Sequence, residues 1–379
     1  MKVMARGAPG FNGVRLEEAR LARGLTQTSL AQMVGRDSST VSAWEAGRQS
    51  PDWEGISRLC NALSVRASLF EKTGEACSDH YFRSNSSVTV GLQKKSKARL
   101  RWAELLESHL SRWVEFADLD FPNLDMGALA QIDDQAIEEA AEQCRDHWNL
   151  GTGPIKDVVA ILENAGAIVV KEELGGVKMD GVSAWSPDCQ RPVVLLASDK
   201  ASAVRSRFDA AHELGHLVMH RSISPDQLSK AEYAEMERQA HRFASAFLLP
   251  AKTFSRDVQR MELDYFISIK RRWRVSIAGM IMRAHSLGIF GDEYKERLFK
   301  YMSARGWRRA EPLDDELIAE KPIALAEAIK LCIEGGIFGR EEFLSAVGLE
   351  SFDVESLACL PRGYLRQEAA PVVKLKDFQ

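Results

Sequence analysis

The chain has 379 residues, of which 45% are hydrophobic and 27% are charged, and its formal net charge is −4. This composition excludes a largely disordered chain and a polybasic protein, and the length indicates two or three domains. Residues 1–70 contain nine Lys and Arg against six Asp and Glu, 9 − 6 = +3, so the rest of the chain carries −7. A mildly basic N-terminal module on an acidic body permits nucleic-acid binding without requiring it.

The cysteines and the hydropathy pattern indicate a cytoplasmic protein. The six cysteines are scattered and no pair has CxxC spacing, which argues against a cysteine-only metal cluster and favours free thiols. No apolar run approaches the ~20 residues that span a bilayer. Residues 1–13 lack the apolar core of a signal peptide. We therefore expect no membrane association.

The spacing of apolar residues over 14–66 predicts several short helices. Thr26 suits the N-cap of a second helix and Asp37 that of a third, while Gly35 suits the end of the second. We predict that these helices form a small bundle within a domain over 1–70. Its predicted core consists of Leu16, Ala19, Leu21, Leu25, Leu30, Ala31, Val34, Val41 and Trp44.

A polar stretch over 84–93 predicts a linker, which continues into a helix over about 97–117. Residues 71–133 would then be a linker and connecting helix. The predicted buried side of this helix contains Trp102, Leu105, Leu106, Leu110 and Trp113. Its basic residues are Lys94, Lys95, Lys97, Arg99 and Arg101. They could contact DNA phosphates, but a solvated helix face is the favoured interpretation.

The following part of the chain alternates between helix and strand patterns. Helices are predicted over 134–148 and 154–165, with Pro154 in the first turn of the latter. Short strands are predicted at 167–170, 182–185 and 193–196, separated by turns at Gly175-Gly176 and Pro187-Asp188. From about 201 onward the chain is predicted to be almost entirely helical, including helices over 322–335 and 340–347. The expected fold is mainly α with a small β-sheet (α+β), with a domain over 134–312 and a helical C-terminal extension over 313–379.

The motif His212-Glu213-Leu214-Gly215-His216 is the strongest chemical signal in the sequence. Two histidines four residues apart on one helix face can bind a single zinc ion, because their side chains leave adjacent turns. The glutamate after the first histidine is placed to take a proton from water at the metal. Gly215 would weaken an exposed helix by about 1 kcal/mol, so we expect a close packing neighbour there. The alternative is a helix with two unliganded histidines.

A catalytic zinc site needs a third protein ligand, and an acid on the next predicted helix, 230–249, is the best candidate. Glu237 shares a face with Ala240, Ala244 and Leu248, whereas Glu232 and Glu235 are expected to be solvated. His220 continues the histidine stripe but lies ~6 Å farther along the axis than His216, so we place it in the second shell or core. His241 could orient the Glu237 carboxylate or bind a substrate oxyanion; a surface histidine is the alternative.

These segments resemble the ImmA/IrrE metallopeptidase family over about 135–312. The resemblance lies in 207–216, 237–244, 248–250, 181–183, 273–276, 305–307 and 311–312. It implies a gluzincin-like domain with zinc on His212, His216 and Glu237, and with Glu213 as general base. It also implies a protein substrate, commonly a helix-turn-helix repressor. The transition-state donor stays open among His220, His241 and Tyr233.

Residues 26–31, 39–48 and Pro51 resemble the Cro/repressor-type (XRE) helix-turn-helix. The resemblance implies that a helix over about 38–46 lies in a DNA major groove. The implied base contacts are Ser38, Ser39 and Ser42, with Gln27 on a phosphate or base, and with Arg36 and Arg48 on phosphates. Ala43 and Ala46 stand where polar residues are frequent, so we expect modest affinity that relies on dimerisation. A bundle used only for protein contacts is the alternative.

The two resemblances together suggest a DNA-binding transcriptional regulator with zinc-dependent endopeptidase activity. It would bind double-stranded DNA, function as a homodimer, and cleave a repressor or antitoxin-like protein in prophage, stress or defence regulation. The alternative is a DNA-binding regulator or antitoxin whose peptidase-like domain is a non-catalytic sensor or dimerisation module.

Overall fold

The computed structural model describes residues 8–71, 89–124, 126–175, 180–186, 190–199, 202–224 and 227–366. Its helices in the N-terminal third are α1 (Gly13–Ala22), α2 (Gln27–Val34), α3 (Ser38–Glu45), α4 (Trp53–Leu63) and α5 (Val90–Leu110), with 3-10 turns at Ala67–Glu71 and Leu129–Gln131. Then follow α6 (Asp134–His147), α7 (Val158–Asn164), β1 (Ile168–Glu172), β2 (Gly181–Ser186) and β3 (Arg191–Ala197).

The rest of the described chain is helical, which confirms the predicted mainly α fold with a small sheet. These helices are α8 (Ala203–Met219), α9 (Lys230–Leu248), α10 (Ala251–Asp257), α11 (Tyr265–Trp273), α12 (Ile277–Ser286), α13 (Asp292–Ala304), α14 (Ala324–Glu334), α15 (Arg340–Val347) and α16 (Ser351–Leu357). Among the described residues, no helix combines the length and apolar character needed to cross a bilayer. The predicted turns at Gly175-Gly176 and Pro187-Asp188 fall partly or wholly outside the described residues.

Helices α1 to α4 form the predicted N-terminal bundle. The Thr26 hydroxyl accepts a hydrogen bond from the Ser29 N–H at 3.0 Å, and Gly35 ends α2 with a φ of 65°. Both features confirm the predicted ends of α2. Asp37 occupies the predicted N-cap of α3, but its side chain makes no capping hydrogen bond. Trp44 is 4% exposed and belongs to the core, as its apolar spacing predicts.

The connecting helix α5 differs from its prediction at both ends. It begins at Val90, within the predicted linker, because the Thr89 hydroxyl caps the Leu92 N–H. It ends at Leu110, so Trp113 lies beyond the helix and is 56% exposed. The prediction that the basic run forms a solvated helix face is wrong for Arg99, which is 5% exposed. Packing against the rest of the fold stabilises the start of this helix. The small polar residues there gave no helical signal in the sequence.

The sheet has the strand order β1-β3-β2, with β3 parallel to β1 and antiparallel to β2. Its central strand is buried on both faces, which explains its unbroken apolar run. Val193 and Leu195 point into a first core with α5, whereas Val194 and Leu196 point into a second core with α8. The sheet therefore separates two hydrophobic cores.

The first core combines the N-terminal and C-terminal parts of the chain. It contains residues of α1 to α5, one face of the sheet, and α14 to α16. Val65 and Leu349 form an isolated antiparallel bridge between the two parts. Gly348 has a φ of 81°, and a Cβ there would lie 2.6 Å from the main chain of Leu69. The approach of the C-terminal helices to the bundle thus requires a glycine at this point.

Two glutamates join the C-terminal extension to α7 by accepting hydrogen bonds from main-chain N–H groups at the starts of α7 and α14. Glu320 accepts hydrogen bonds from the N–H groups of Val158 and Val159 at the start of α7. Glu163, at the other end of α7, accepts from the N–H groups of Ile323 and Ala324 at the start of α14. These contacts, with the Asp157 cap, start α7 four residues later than the predicted Pro154 position.

A buried ion network links α1, α5, α16 and β1. The Asp353 carboxylate accepts hydrogen bonds from Arg23 at 2.6 and 2.7 Å and from Arg99 at 2.6 Å. Arg99 also forms a bidentate pair with Glu172 on β1. Asp353 is 1% exposed, so its removal would leave two guanidinium groups short of a partner in a low-dielectric setting.

We expect Asp353→Ala to lower the free energy of unfolding by about 3–5 kcal/mol, because it breaks a buried charge network from one side. Urea denaturation followed by circular dichroism measures this loss. Glu341→Ala is the matched control, since Glu341 pairs with Arg66 between the same two parts of the chain but is 61% exposed at its side chain. The control should cost less than about 1 kcal/mol. Equal losses in the two variants would contradict the prediction.

Candidate metal centre

The motif helix α8 packs closely on α9 because Gly215 has no side chain. A Cβ at Gly215 would lie 2.9 Å from the ring of Phe243 on α9. This is the packing neighbour expected for a glycine in mid-helix. Ala240 and Ala244, also fully buried, are small enough to keep the two helices close. The close approach brings the Glu237 side chain to the histidine face of α8.

The three predicted metal ligands lie together between these helices. The Nε2 atoms of His212 and His216 are 3.1 Å apart. One Glu237 oxygen lies 3.4 Å from His212 Nε2, and the other lies 3.4 Å from His216 Nε2. A tetrahedral zinc site with bonds of about 2.0–2.1 Å has ligand-to-ligand edges of about 3.3 Å. The two imidazole nitrogens and the two Glu237 oxygens, here called the ligand triangle of three side chains, are thus separated by distances close to these edges.

The other two glutamates of α9 are used elsewhere. Glu232 accepts hydrogen bonds from Ser229 and completes a capping box at the start of the helix. Glu235 forms a bidentate pair with Arg238 on the surface. Glu237 is the acid of this helix that faces α8.

The charge of Glu237 suits a cation. Burial by itself raises the pKa of this carboxyl, but its contacts with the His212 and His216 rings lower it well below its usual range. The group therefore stays ionised at neutral pH. An anionic carboxylate between two imidazole nitrogens is the donor set of a catalytic zinc site with three protein ligands.

Glu213 is 3% exposed and is held by β2, the edge strand of the sheet. The Ser183 hydroxyl donates a hydrogen bond of 2.6 Å to Glu213 Oε2. A Cβ at Gly181 would lie 2.8 Å from Glu213 Oε1, so a larger residue at this strand position would displace the Glu213 carboxylate. Ser183 is a site residue that the sequence prediction missed. Its signal was the alternation of Gly181 and Ser183 on one face of a strand, but the strand's neighbour was unknown.

His241 lies at the rim of the site, and its ring centroid is 4.4 Å from that of His212. Its Nδ1–H donates to the main-chain carbonyl of Glu237 at 2.9 Å, rather than to the Glu237 carboxylate. Burial, followed by the charge of His212, lowers the pKa of His241. The role of His241 in binding a substrate oxyanion stays a prediction. Ligand atoms of His212, Glu237 and His241 lie within 4.8 Å of one another.

The two other candidates for the transition-state donor occupy different places. His220 is fully buried, and its Nδ1 lies 3.0 Å from Nδ1 of His216 on the side away from the ligand triangle. It therefore contacts a ligand but does not reach a substrate. Tyr233 is half-buried on α9, one turn before Glu237. Its role as a donor stays a prediction.

The predicted DNA contacts lie on or beside α3. Ser38 and Ser39 are exposed at its start, Ser42 is half-buried, and Arg36 and Arg48 are exposed at either end. Gln27 is also engaged within the bundle, since its amide donates to Glu45 at 2.7 Å. Glu45 in turn pairs with Arg20. The serines and arginines are accessible to a ligand, while Gln27 supports the position of α3 from inside the bundle.

The fold and the site define a helix-turn-helix protein with a metallopeptidase-like domain. Residues 13–71 match the family model of a helix-turn-helix domain, and residues 162–285 match that of the IrrE N-terminal-like domain. The chain therefore joins an N-terminal helix-turn-helix domain to an IrrE-like domain, which confirms the predicted fusion.

Among solved structures, the chain is similar to a Mycobacterium tuberculosis transcriptional regulator with 20% identity and a TM-score of 0.30. The similarity covers 49% of this chain and spans half the length of that regulator (50% of its chain). No curated protein matches the chain.

We expect Glu237→Gln to lower zinc affinity by more than about 100-fold, because a neutral amide replaces the anionic ligand. Zinc content after dialysis against a chelator, measured by mass spectrometry, gives the result. Glu232→Gln is the control, since it makes the same change at the exposed start of α9 without touching the triangle. Zinc retained by Glu237→Gln would remove this residue from the ligand set.

Proposed function

We propose that the protein is a DNA-binding transcriptional regulator that also acts as a zinc-dependent endopeptidase on a protein substrate. The proposal rests on the triangle of His212, His216 and Glu237, whose nitrogen and oxygen atoms are 3.1 to 3.4 Å apart, close to the ligand spacing of a zinc site. Glu213 follows His212 directly and interacts with it electrostatically. The match to the IrrE N-terminal-like domain supports the same class of chemistry.

Zinc bound by this triangle would supply Lewis acidity, which makes water more acidic and the scissile carbonyl more electrophilic. Glu213 is the general base that accepts the proton of the attacking water. After the peptide bond breaks, the same carboxyl can give that proton to the leaving amine. The Ser183 hydroxyl fixes the orientation of this carboxylate by its hydrogen bond to Oε2. Gly181 leaves space beside Oε1.

The helix-turn-helix domain supports a substrate that works on DNA. A peptidase attached to a DNA-binding domain acts at a raised local concentration on proteins bound nearby. We therefore propose a repressor or antitoxin-like protein as the substrate. A regulator with a non-catalytic peptidase-like domain would bind DNA equally well but cleave nothing, so cleavage is the decisive measurement.

We expect Glu213→Gln to keep its zinc and to lose proteolysis by about 10²–10⁴-fold, because the metal ligands remain while the proton acceptor is removed. The zinc-loaded protein is incubated with candidate repressors, with and without DNA, and cuts are mapped by mass spectrometry. Glu232→Gln, at the exposed start of α9, is the matched control and should cleave normally. Cleavage by Glu213→Gln at the normal rate would refute the assignment.

We expect Arg36→Ala and Arg48→Ala each to weaken DNA binding on every sequence and to reduce the slope of log K against log salt by about 0.9, because each removes one phosphate contact. Fluorescence anisotropy over a salt series measures the slope. Arg271→Ala is the control for charge, since its side chain is 70% exposed on α11 outside the helix-turn-helix. An unchanged slope in both helix-turn-helix variants would exclude these arginines as phosphate contacts.

A further inference from the structure

A chain of buried polar side chains extends from the metal centre away from the substrate side. His216 Nδ1 lies 3.0 Å from His220 Nδ1, and His220 Nε2 lies 3.0 Å from Oε1 of Gln239. His216 is 1% exposed, while His220 and Gln239 are fully buried. Each contact is therefore shielded from competition with bulk water. Gln239 belongs to none of the predicted site residues.

The surroundings of Gln239 fix the orientation of its amide group. Its Nε2 lies 3.1 Å from the main-chain carbonyl oxygens of Leu129 and Ile132 and 3.1 Å from a carboxylate oxygen of Glu235. All three neighbours are hydrogen-bond acceptors, so the atom facing them must be the NH₂ group. The amide oxygen must then face His220.

This orientation determines where the protons lie on both histidines. Because Gln239 Oε1 can only accept, His220 Nε2 carries a proton and donates it. The His220 tautomer with its proton on Nε2 has an unprotonated Nδ1, which can only accept from His216. His216 therefore carries its proton on Nδ1. Its Nε2 keeps a lone pair, and Nε2 is the atom that belongs to the ligand triangle.

We propose that Gln239 is a positioning residue that, through His220, holds His216 in the tautomer that binds metal. The wrong tautomer would place a proton on Nε2, where the metal must bind, and shifting it would cost affinity. Within the described residues, Nδ1 of His212 is buried without a hydrogen-bond partner. The hydrogen-bonded chain of Gln239, His220 and His216, here called the relay, therefore acts on one of the two predicted histidine ligands. This inference rests on the proposed zinc centre.

The relay begins outside the predicted peptidase domain. Leu129 and Ile132 belong to the segment around the short 3-10 turn before α6, and their carbonyl groups orient Gln239 from there. The orientation of Gln239 near the candidate metal centre therefore depends on a main-chain segment about 70 residues before the start of the motif helix. If the side chain at position 239 only filled space, it would not need hydrogen bonds to the carbonyl groups of Leu129 and Ile132.

The first test measures the ring nitrogens of ¹⁵N-histidine-labelled, metal-free protein by NMR. We expect the wild-type His216 to show a protonated Nδ1 and an unprotonated Nε2, and His220 to show the opposite pattern. In Gln239→Met, which removes the acceptor for His220, both rings should shift toward a mixture of tautomers. A wild-type His216 protonated on Nε2 would overturn the proposal, and this measurement needs no variant to fold.

The second test measures zinc affinity by chelator competition. Gln239→Met and His220→Phe should each weaken zinc binding by about 10–100-fold. Gln135→Met is the control, since Gln135 bonds to Glu139 on the exposed face of α6. Wild-type affinity and tautomers in a folded Gln239→Met would overturn the relay. Wild-type protein that binds no zinc would instead defeat the proposed function, while the tautomer pattern would still decide the relay.

Discussion

One buried carboxylate, that of Asp353, joins parts of the chain that are far apart in the sequence. It receives hydrogen bonds from Arg23 at the end of α1 and from Arg99 on α5. Arg99 also pairs with Glu172 on β1. Because Asp353, Arg99 and Glu172 are buried, the stability of these charges depends on their partners. The helix-turn-helix, the connecting helix, the sheet and the C-terminal helices are therefore held in one arrangement.

The sheet connects these parts of the chain to the candidate metal centre by packing against both cores. Its face toward α5 belongs to the core of the helix-turn-helix, and its face toward α8 belongs to the core of the motif helix. Edge strand β2 also supplies Ser183 and Gly181, which set the place of Glu213. A change in how the bundle packs on the sheet would thus act on a strand that contacts Glu213, the proposed general base. Packed secondary-structure elements of this kind can carry coupling between two sites.

The sequence could predict the parts of this protein that depend on local periodicity. The four-residue spacing of His212 and His216 and the apolar face behind Glu237 predicted that these three side chains lie together. Helix geometry fixes both the spacing and the face, so neither depends on distant contacts. Contacts made across the fold were not predictable. Arg99 was expected to be solvated because its partner Asp353 lies 254 residues away in the sequence. Gln239 carried no signal, since its role depends on main-chain carbonyls that no side-chain pattern records.

This packing also bears on how a tethered peptidase would select its substrate. A flexible tether lets the active site sample many positions, and the effective concentration then depends on linker length. Here the helix-turn-helix contacts the C-terminal helices through the Val65–Leu349 bridge and the Arg23–Asp353 pair, so packing as well as the covalent connection fixes its position. If the substrate is a DNA-bound repressor, its scissile segment must reach a metal centre held at a set place relative to α3. Selectivity would then come from the geometry of the DNA complex as much as from the sequence at the cut.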